Sequence, residues 1–468
     1  MQRVSASGRR LYRVCLLTCS SLCVAFALPF AGAQNTAGSA QLQTAAQPVS
    51  VTLGEAIHRA QVNEPSFATA VADSRSAALD RSIARSALLP GVTYHNQYLY
   101  TEGTGFATSS VQRGTGSTAA PRFIANNAVH EYVSQGLVDE TIGLTQVAGV
   151  RRADAAAAMA AAEVEISRRG LAATVSGLYY GVISADNKRA IAERASSEAA
   201  DFSSLTAKRE QQREAAHADV VKAQLQQQQR ARELSDARLA AEKARLELGV
   251  LLFPDPRTPY TVAASEPAQL PLRADVEQAA GKNNPELRSA LAALNQSSAD
   301  VLAARGAYIP SLALNYSYGI DAPQFAMDGP ADATGNKLKN LGYSASVTLD
   351  IPVWDWLATQ HKVKQSEIRR DAAKVNLTNA QRRLIARLEE AWSEANAARD
   401  QLASLDASVG TAQESLRLTR MRYTGGEATV LEVVDAQTAF VTAENAREDG
   451  RVRYQAALAD LQTLTGTM

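Results

Sequence analysis

The sequence predicts a mainly α-helical, internally duplicated chain with four membrane-type β-strands and two very long helical hairpins. Three observations lead there: matches that recur at a near-constant offset, tyrosine-rich runs of period two, and two long stretches without proline.

The duplication is read first because it organises the rest. Pro65 and Pro90 are 25 residues apart, and so are Pro285 and Pro310. Each pair brackets a helical stretch and precedes an alternating run. Further on, Val220-Val221-Lys222-Ala223-Gln224 returns as Val433-Val434-Asp435-Ala436-Gln437, a shift of 213. Under the same shift Arg209 falls on Arg422, Glu214 on Glu427, Asp219 on Glu432 and Tyr179 on Trp392. Solenoid repeats run from about 20 to 50 residues, so this spacing denotes two copies of one large unit. The copies are expected over 51–270 and 271–468.

The N-terminus carries Arg3, Arg9, Arg10 and Arg13, an apolar run from Val14 to Phe30, and Ala31-Gly32-Ala33. That pattern predicts a secretory signal peptide over 1–33, followed by a polar leader over 34–50. Cys15, Cys19 and Cys23 all lie inside the signal, so the exported chain is expected to have no thiol, disulfide or cysteine metal site. The sequence holds 48 basic and 48 acidic residues; removing the four signal arginines leaves 44 against 48. This balance gives no bulk field for gripping nucleic acid.

In the first copy Thr52 and Glu55 predict a capping box opening a helix. Pro65 interrupts that helix, and a second one stops at Pro90. Strands are expected at about 91–103 and 129–138, and again at about 311–320 and 342–351. In the cleanest run Leu312, Leu314, Tyr316, Tyr318 and Ile320 face one way, and Ser311, Ala313, Asn315, Ser317 and Gly319 the other. Period-two alternation with tyrosines on the apolar side marks a strand between lipid-like and polar surroundings. Long polar connections, Thr104 to Asn127 and Asp321 to Asn340, join the members of each pair.

After each pair comes a proline-free stretch rich in Ala, Arg, Glu, Gln and Leu, from about Glu140 to Lys208 and from about Leu357 to Arg422. At about 1.5 Å per residue such a helix reaches on the order of 100 Å. A break follows, near 209–219 in one copy and 422–432 in the other, and then a return helix. Leu234, Ala237, Ala241, Ala244 and Leu248 give that return helix coiled-coil spacing.

Beyond the signal, no stretch approaches the roughly 20 apolar residues of a spanning helix. A chain that crosses a membrane must then do so as a closed barrel. Four strands cannot close one, since about eight is the practical minimum. Strands must be pooled, and three chains supply twelve.

Arg422-Tyr423-Thr424-Gly425-Gly426-Glu427-Ala428-Thr429-Val430-Leu431-Glu432-Val433-Val434-Asp435-Ala436-Gln437, together with the later Tyr454, Leu458, Leu461 and Gly466, resembles the TolC-type outer-membrane efflux family. The resemblance covers essentially the whole exported chain. It implies a homotrimer whose twelve-stranded barrel sits in the outer-membrane lipid of a Gram-negative-type bacterium and continues into an α-helical tunnel across the periplasm. It also implies partners, a periplasmic adaptor and an inner-membrane transporter, with which such channels export small toxic molecules or proteins.

Carried over residue by residue, Glu432 and Asp435 resemble the acidic ring of the periplasmic aperture, Asp219 and Tyr423 the inter-hairpin latch, and Gly425 and Gly426 the tip turn. Three copies of each carboxylate about one axis would focus negative potential and raise one another's pKa. The competing assignment is that Glu432 and Asp435 are solvated acids near a helix N-terminus. Two departures stand out. Ala428 occupies the place of a latch arginine, so that part of the closing network is either missing or rebuilt, with Arg420 and Arg422 as the candidates to substitute. In the first copy Gln211-Gln212-Arg213 replaces Thr424-Gly425-Gly426, so the two tips are expected to turn differently.

The five histidines are scattered, and no His-Glu-x-x-His, Gly-x-Ser-x-Gly or phosphate-binding glycine loop occurs. An enzyme is therefore not expected, nor a cofactor or resident metal. The alternative of a periplasmic coiled-coil adaptor needs only one hairpin and leaves the tyrosine-rich strands unexplained.

Overall fold

The computed structural model describes residues 49–100, 130–263, 269–331 and 333–466. The expected signal peptide, the leader up to residue 48, the Thr104–Asn127 connection and the distal ends of the first two expected strands lie outside the described residues.

The first copy runs β1 (Val49–Val51), α1 (Leu53–Asn63), α2 (Pro65–Ser86), β2 (Gly91–Tyr100), β3 (His130–Ile142), α3 (Leu144–Gln211), α4 (His217–Leu252) and β4 (Tyr260–Val262). The second runs α5 (Arg273–Asn283), α6 (Pro285–Gly306), β5 (Ser311–Ala322), β6 (Asp328–Ala331), β7 (Lys337–Lys339), β8 (Leu341–Asp350), α7 (Ala358–Thr424) and α8 (Val430–Thr465). Corresponding helices match in length: α1 and α5 have 11 residues each, α2 and α6 have 22, α3 and α7 have 68 and 67, and α4 and α8 have 36.

The breaks follow local chemistry. Pro65 and Pro285 both stand at the first helical position, where a missing N–H costs nothing. Asn284 caps α6 by accepting from the Leu287 amide at 2.8 Å. Only half of the expected Thr52/Glu55 box forms. Thr52 accepts from the Glu55 amide, but the Glu55 carboxylate turns forward to Arg59 at 2.7 Å, because an i,i+4 arginine offers a full charge.

Four strands make one antiparallel sheet in the order β2-β3-β5-β8. Its register aligns like with like: Val92, Val138, Tyr316 and Ala345 form one row, and Tyr94, Gly136, Tyr318 and Tyr343 another. One face is thus lined by tyrosines and aliphatics; Tyr98 and Tyr132 meet on it with ring centroids 4.9 Å apart. The other face is the more polar one, Leu99, Val133 and Leu137 notwithstanding, and there Gln135 donates to Asp321 and Ser317 meets Ser344. β3 runs past the expected 138 because Glu140, Thr141 and Ile142 stay paired with Leu314, Ala313 and Leu312. The Asp321–Asn340 connection is partly ordered as the β6–β7 hairpin.

The chief apolar core sits beside the middle of the long helices. There α3 contributes Val175, Tyr179 and Val182, α4 contributes Leu248 and Leu252, and β1 and α1 contribute Val51, Ala56 and Ala60. The Tyr179 hydroxyl donates to the Val51 carbonyl at 3.2 Å and the Ala263 carbonyl at 2.6 Å, tying the parallel β1–β4 pair to α3. Val49 and Ser50, the end of the expected polar leader, belong to that pair.

Nearby, the buried Arg169 of α3 joins three elements. Its Nε donates to Glu165 at 2.6 Å, Nη1 to the Thr463 carbonyl at 2.9 Å and Nη2 to the Asn283 carbonyl at 3.0 Å. One guanidinium thereby serves the carbonyl ends of α5 and α8, where helix dipoles favour a cation. Gly466, at φ 77°, closes α8 directly over it.

Candidate aperture at the hairpin ends

The two hairpin tips turn alike, contrary to the expectation from their sequences. In the second hairpin the Gly425, Gly426 and Glu427 amides donate to the Met421, Tyr423 and Arg422 carbonyls. In the first, the Gln212, Arg213 and Glu214 amides donate to the Lys208, Glu210 and Arg209 carbonyls, the same pattern displaced by 213. Gly426 takes the left-handed conformation at φ 82°, which glycine adopts freely. Arg213 takes the equivalent conformation at φ 63°, at a cost of about 1–2 kcal/mol. Two helices returning antiparallel through so short a link impose one turn on both. Gly425, by contrast, is right-handed at φ −76°, so its backbone makes no special demand for glycine.

The difference lies one step later, at the caps. Thr429 and Glu432 form a reciprocal box: the Thr429 hydroxyl accepts from the Glu432 amide, and the Glu432 carboxylate accepts from the Thr429 amide. In the first hairpin Ala216 stands at the cap position and offers no side-chain oxygen, so Asp219 has no such partner. His217 there approaches Glu210 across the turn at 2.7 Å.

Tyr423 is buried where the hairpins meet, with Phe202, Ala223, Val430 and Val433 around it. Its ring centroid lies 5.2 Å from that of Phe202. Thr206 spends its hydroxyl proton on the Phe202 carbonyl at 2.8 Å, so the Tyr423 hydroxyl donates to Thr206 Oγ1 at 3.3 Å. Arg209 of α3 lies over the same ring at 4.7 Å. It donates to the Tyr423 carbonyl at 2.7 Å and the Thr424 carbonyl at 2.8 Å. These are the last carbonyls of α7, so the guanidinium caps one hairpin from the other. Each charge-assisted bond of this kind is worth about 1.5–3 kcal/mol.

Of the residues expected to act here, the structure brings Tyr423 to the first hairpin, but through Arg209, Thr206 and Phe202. Asp219 and Tyr423 share no hydrogen bond among the described residues. Of the two arginines expected to compensate for Ala428, Arg420 crosses to Glu198 of α3. Arg422 stays within its own hairpin, 3.5 Å from Glu432 and donating to the Glu427 carbonyl. The Thr429 amide and hydroxyl, with Arg422 beyond them, hold the Glu432 carboxyl below its usual range. Asp435, one turn on, is exposed and enters no ion pair among the described residues. Arg209 was the residue sequence reasoning missed as a clasp. Its only signal was its coincidence with Arg422 under the repeat shift.

No helix among the described residues is long and apolar enough to cross a membrane, and no group of metal-ligating side chains gathers among them.

Residues 276–467 match the family model described as "Outer membrane efflux protein". The chain is 27% identical over 195 residues to the proteases secretion protein PrtF of Dickeya chrysanthemi, covering 41% of this chain and 42% of that one. It is 27% identical over 180 residues to the outer membrane protein OprJ of Pseudomonas aeruginosa, covering 38% and 36%. It is 22% identical over 192 residues to the outer membrane protein TolC of Escherichia coli, covering 40% and 39%. The match thus spans less than half the length of these relatives. Among solved structures, the CmeC outer membrane channel of Campylobacter jejuni superimposes with a TM-score of 0.73 at 17% identity, covering 88% of this chain and 85% of that one. The VceC outer membrane protein of Vibrio cholerae gives 0.72 at 14% identity, covering 88% and 96%.

Proposed function

We infer that this chain, which belongs to the outer membrane efflux protein family, is one third of an exit duct in the bacterial outer membrane. The observation that carries the reading is the open four-stranded sheet with one apolar face. β2 and β8 are its edges, and unpaired edge backbone is intolerable in lipid. Strands alternate in direction across the sheet, so β8 of one copy is antiparallel to β2 of the next. Three copies then close a twelve-stranded barrel, an even-numbered antiparallel barrel as in other outer-membrane proteins.

The helices support the same assembly. Leu79 and Ile83 of α2, Leu225, Leu239 and Leu246 of α4, and Ile368, Val375 and Ile385 of α7 are all exposed on a lone chain. Neighbouring copies would cover them and complete a helical tunnel. The hairpin tips then surround its periplasmic entrance. Glu432 and Asp435 ring that entrance; the clasp of Tyr423 by Arg209, with Asp219 at the facing tip, holds it narrow. A periplasmic adaptor and an inner-membrane transporter deliver the cargo, which is of the small-molecule or protein class.

The entrance assignment is tested by single-channel recording. Arg209→Ala and Tyr423→Ala should each raise conductance severalfold in planar bilayers, because the α7 carbonyls lose their cap and the hairpins part. Asp219→Ala should raise it less, since this residue makes no bond to the clasp within the chain. Conductance equal to wild type in all three would place the constriction elsewhere.

A further inference from the structure

The four helices joined directly to the sheet stand side by side in the order α2-α3-α6-α7, with α2 and α7 at the edges as β2 and β8 are in the sheet. A hollow of about 600 Å³ opens where the middle pair, α3 and α6, meet, and α7 borders it. Sites for drug-sized ligands have this volume. The hollow is remote from the hairpin ends and lies between the two edges at which further copies would join. The duplication shows why it is there. Arg85 of α2 pairs with Asp154 of α3 at 3.0 Å, and Arg305 of α6 pairs with Glu367 of α7 at 2.8 Å. These pairs are equivalent: α2 falls on α6 with the spacing of Pro65 and Pro285, and α3 falls on α7 with the shift of 213. Under the same alignment Ala155 of α3 stands where α7 has Ile368, and Ala299 of α6 stands where α2 has Leu79. Both alanines are buried, and with Val301 and Leu302 they form an apolar wall. The repeat keeps the ion pair on either side and leaves out two large side chains at this one groove.

The rest of the lining is cationic. Arg151, Arg305 and Arg370 reach it from three different helices. Arg305 gives one nitrogen to Glu367, and Arg370 gives two to Asp371, its neighbour in sequence, at 3.3 and 3.0 Å. Arg151 is exposed and enters no ion pair among the described residues. The one acid in the lining, Asp154, already has two partners, Arg85 and, at 2.9 Å, Arg81. Five arginines thus share three carboxylates around the hollow. Guanidinium groups in such excess favour a carboxylate or a phosphate, whose oxygens match their forked donors. An apolar wall beside them selects an anion that carries an apolar body.

We propose that this hollow is a binding site for an anionic amphiphile, its carboxylate or phosphate held by Arg151, Arg305 and Arg370 and its apolar part against Ala155, Ala299, Val301 and Leu302. The site lies within one chain, so it does not rest on closure of the barrel. Two sources offer this chemistry. Arg151 is seven residues into α3, about 10 Å from the sheet at about 1.5 Å per residue, within reach of a phospholipid entering from that end. A free amphiphile of the size of a small cargo fits the same volume.

The full-length protein in an uncharged detergent is titrated with octyl phosphate, and bound equivalents are counted by native mass measurement. One equivalent per chain should bind. Arg151→Gln should weaken binding about tenfold, the worth of one charge-assisted hydrogen bond, and adding Arg370→Gln should weaken it further. Ala299→Leu restores the leucine of the other copy, keeps every charge and should abolish binding by filling the hollow. Octanol and octylammonium, with the same tail, should not compete. Displacement of octyl phosphate by dilauroylphosphatidylglycerol assigns the site to lipid, and failure to displace it assigns the site to a free amphiphile. The particle mass and urea midpoint of each variant report its folding, and Arg151→Gln alters only an exposed side chain. Absence of octyl phosphate binding, equal binding of octylammonium, or full affinity in the double arginine variant overturns the site. Loss of binding in the arginine variants with full affinity in Ala299→Leu overturns the apolar wall and hence the amphiphile. The mass of the particle without ligand reads the assembly separately, so a single-chain particle that still binds octyl phosphate would overturn the duct and not this site.

Discussion

If Glu432 and Asp435 ring the proposed entrance, changing Glu432→Gln together with Asp435→Asn should abolish block by multivalent cations and remove most of a preference for cations. Three copies of two carboxylates around a narrow axis would focus the field there, and the charge would vanish with the substitutions while the shapes stay. The single substitutions should differ. Glu432 already gives one oxygen to the Thr429 amide and hydroxyl and faces Arg422 with the other, so its charge is partly balanced. Asp435 has no such partner among the described residues, and Asp435→Asn alone should account for the larger share of the loss. Glutamine can also serve in a capping box, so Glu432→Gln leaves the start of α8 folded and the comparison clean. Reversal potentials under a salt gradient measure the preference. It should weaken as ionic strength rises, because the Debye length falls to about 8 Å near physiological salt. A double variant with full cation preference and block would return both acids to the status of solvated residues on the outer helix surface.

Arg169→Ala should destabilise the protein by about 3 kcal/mol, the cost typical of removing one partner from a buried charged network. The guanidinium is only 7% exposed in its side chain, and its loss strands the Thr463 and Asn283 carbonyls at two helix ends. Arg169→Lys should recover less than half, since an ammonium cannot span three acceptors in the planar geometry that a guanidinium provides. Gly466→Ala should behave like a mild version of the same lesion. A Cβ there would lie 2.4 Å from Arg169 Nη2, on a backbone at φ 77°. Urea midpoints of the detergent-solubilised protein measure all three.

Acid sensitivity offers an internal check. The Arg168 hydrogen bond, followed by that of Arg169, holds the Glu165 carboxyl down to about 2 from 4.5. A depressed carboxylate contributes stability that is complete above its unfolded value and lost as pH falls from 4.5 toward 2. Because Arg168 gives the larger effect, that acid limb should persist in Arg169→Ala.

What could be read from the sequence was what repeats or alternates. Proline at the first position of α2 and α6, matched helix lengths, and apolar rows of period two are local signals, and each copy checked the other. The three-residue strands β1 and β4 left no such signal, since they are too short to show a period and meet across more than 200 residues, where Tyr179 binds the Val51 and Ala263 carbonyls. Arg213 gave a false one. Its chemistry argues against a left-handed turn, yet the return of α4 along α3 forces that conformation. The clasp was hidden for a third reason: Arg209 acts on carbonyls 214 and 215 residues away, and no spacing rule reaches across two hairpins. Ala428 pointed to a missing arginine, and proximity in sequence pointed to Arg420 and Arg422. The residue that caps α7 came instead from the other copy.

The central claim is that the four-stranded sheet has no stable existence in lipid except as one third of a barrel. Native mass measurement on protein extracted from outer membranes in mild detergent tests this most directly. The account predicts a particle of three chains, which falls apart only on denaturation because separation exposes the β2 and β8 edges. A membrane-inserted particle with the mass of a single chain would contradict it.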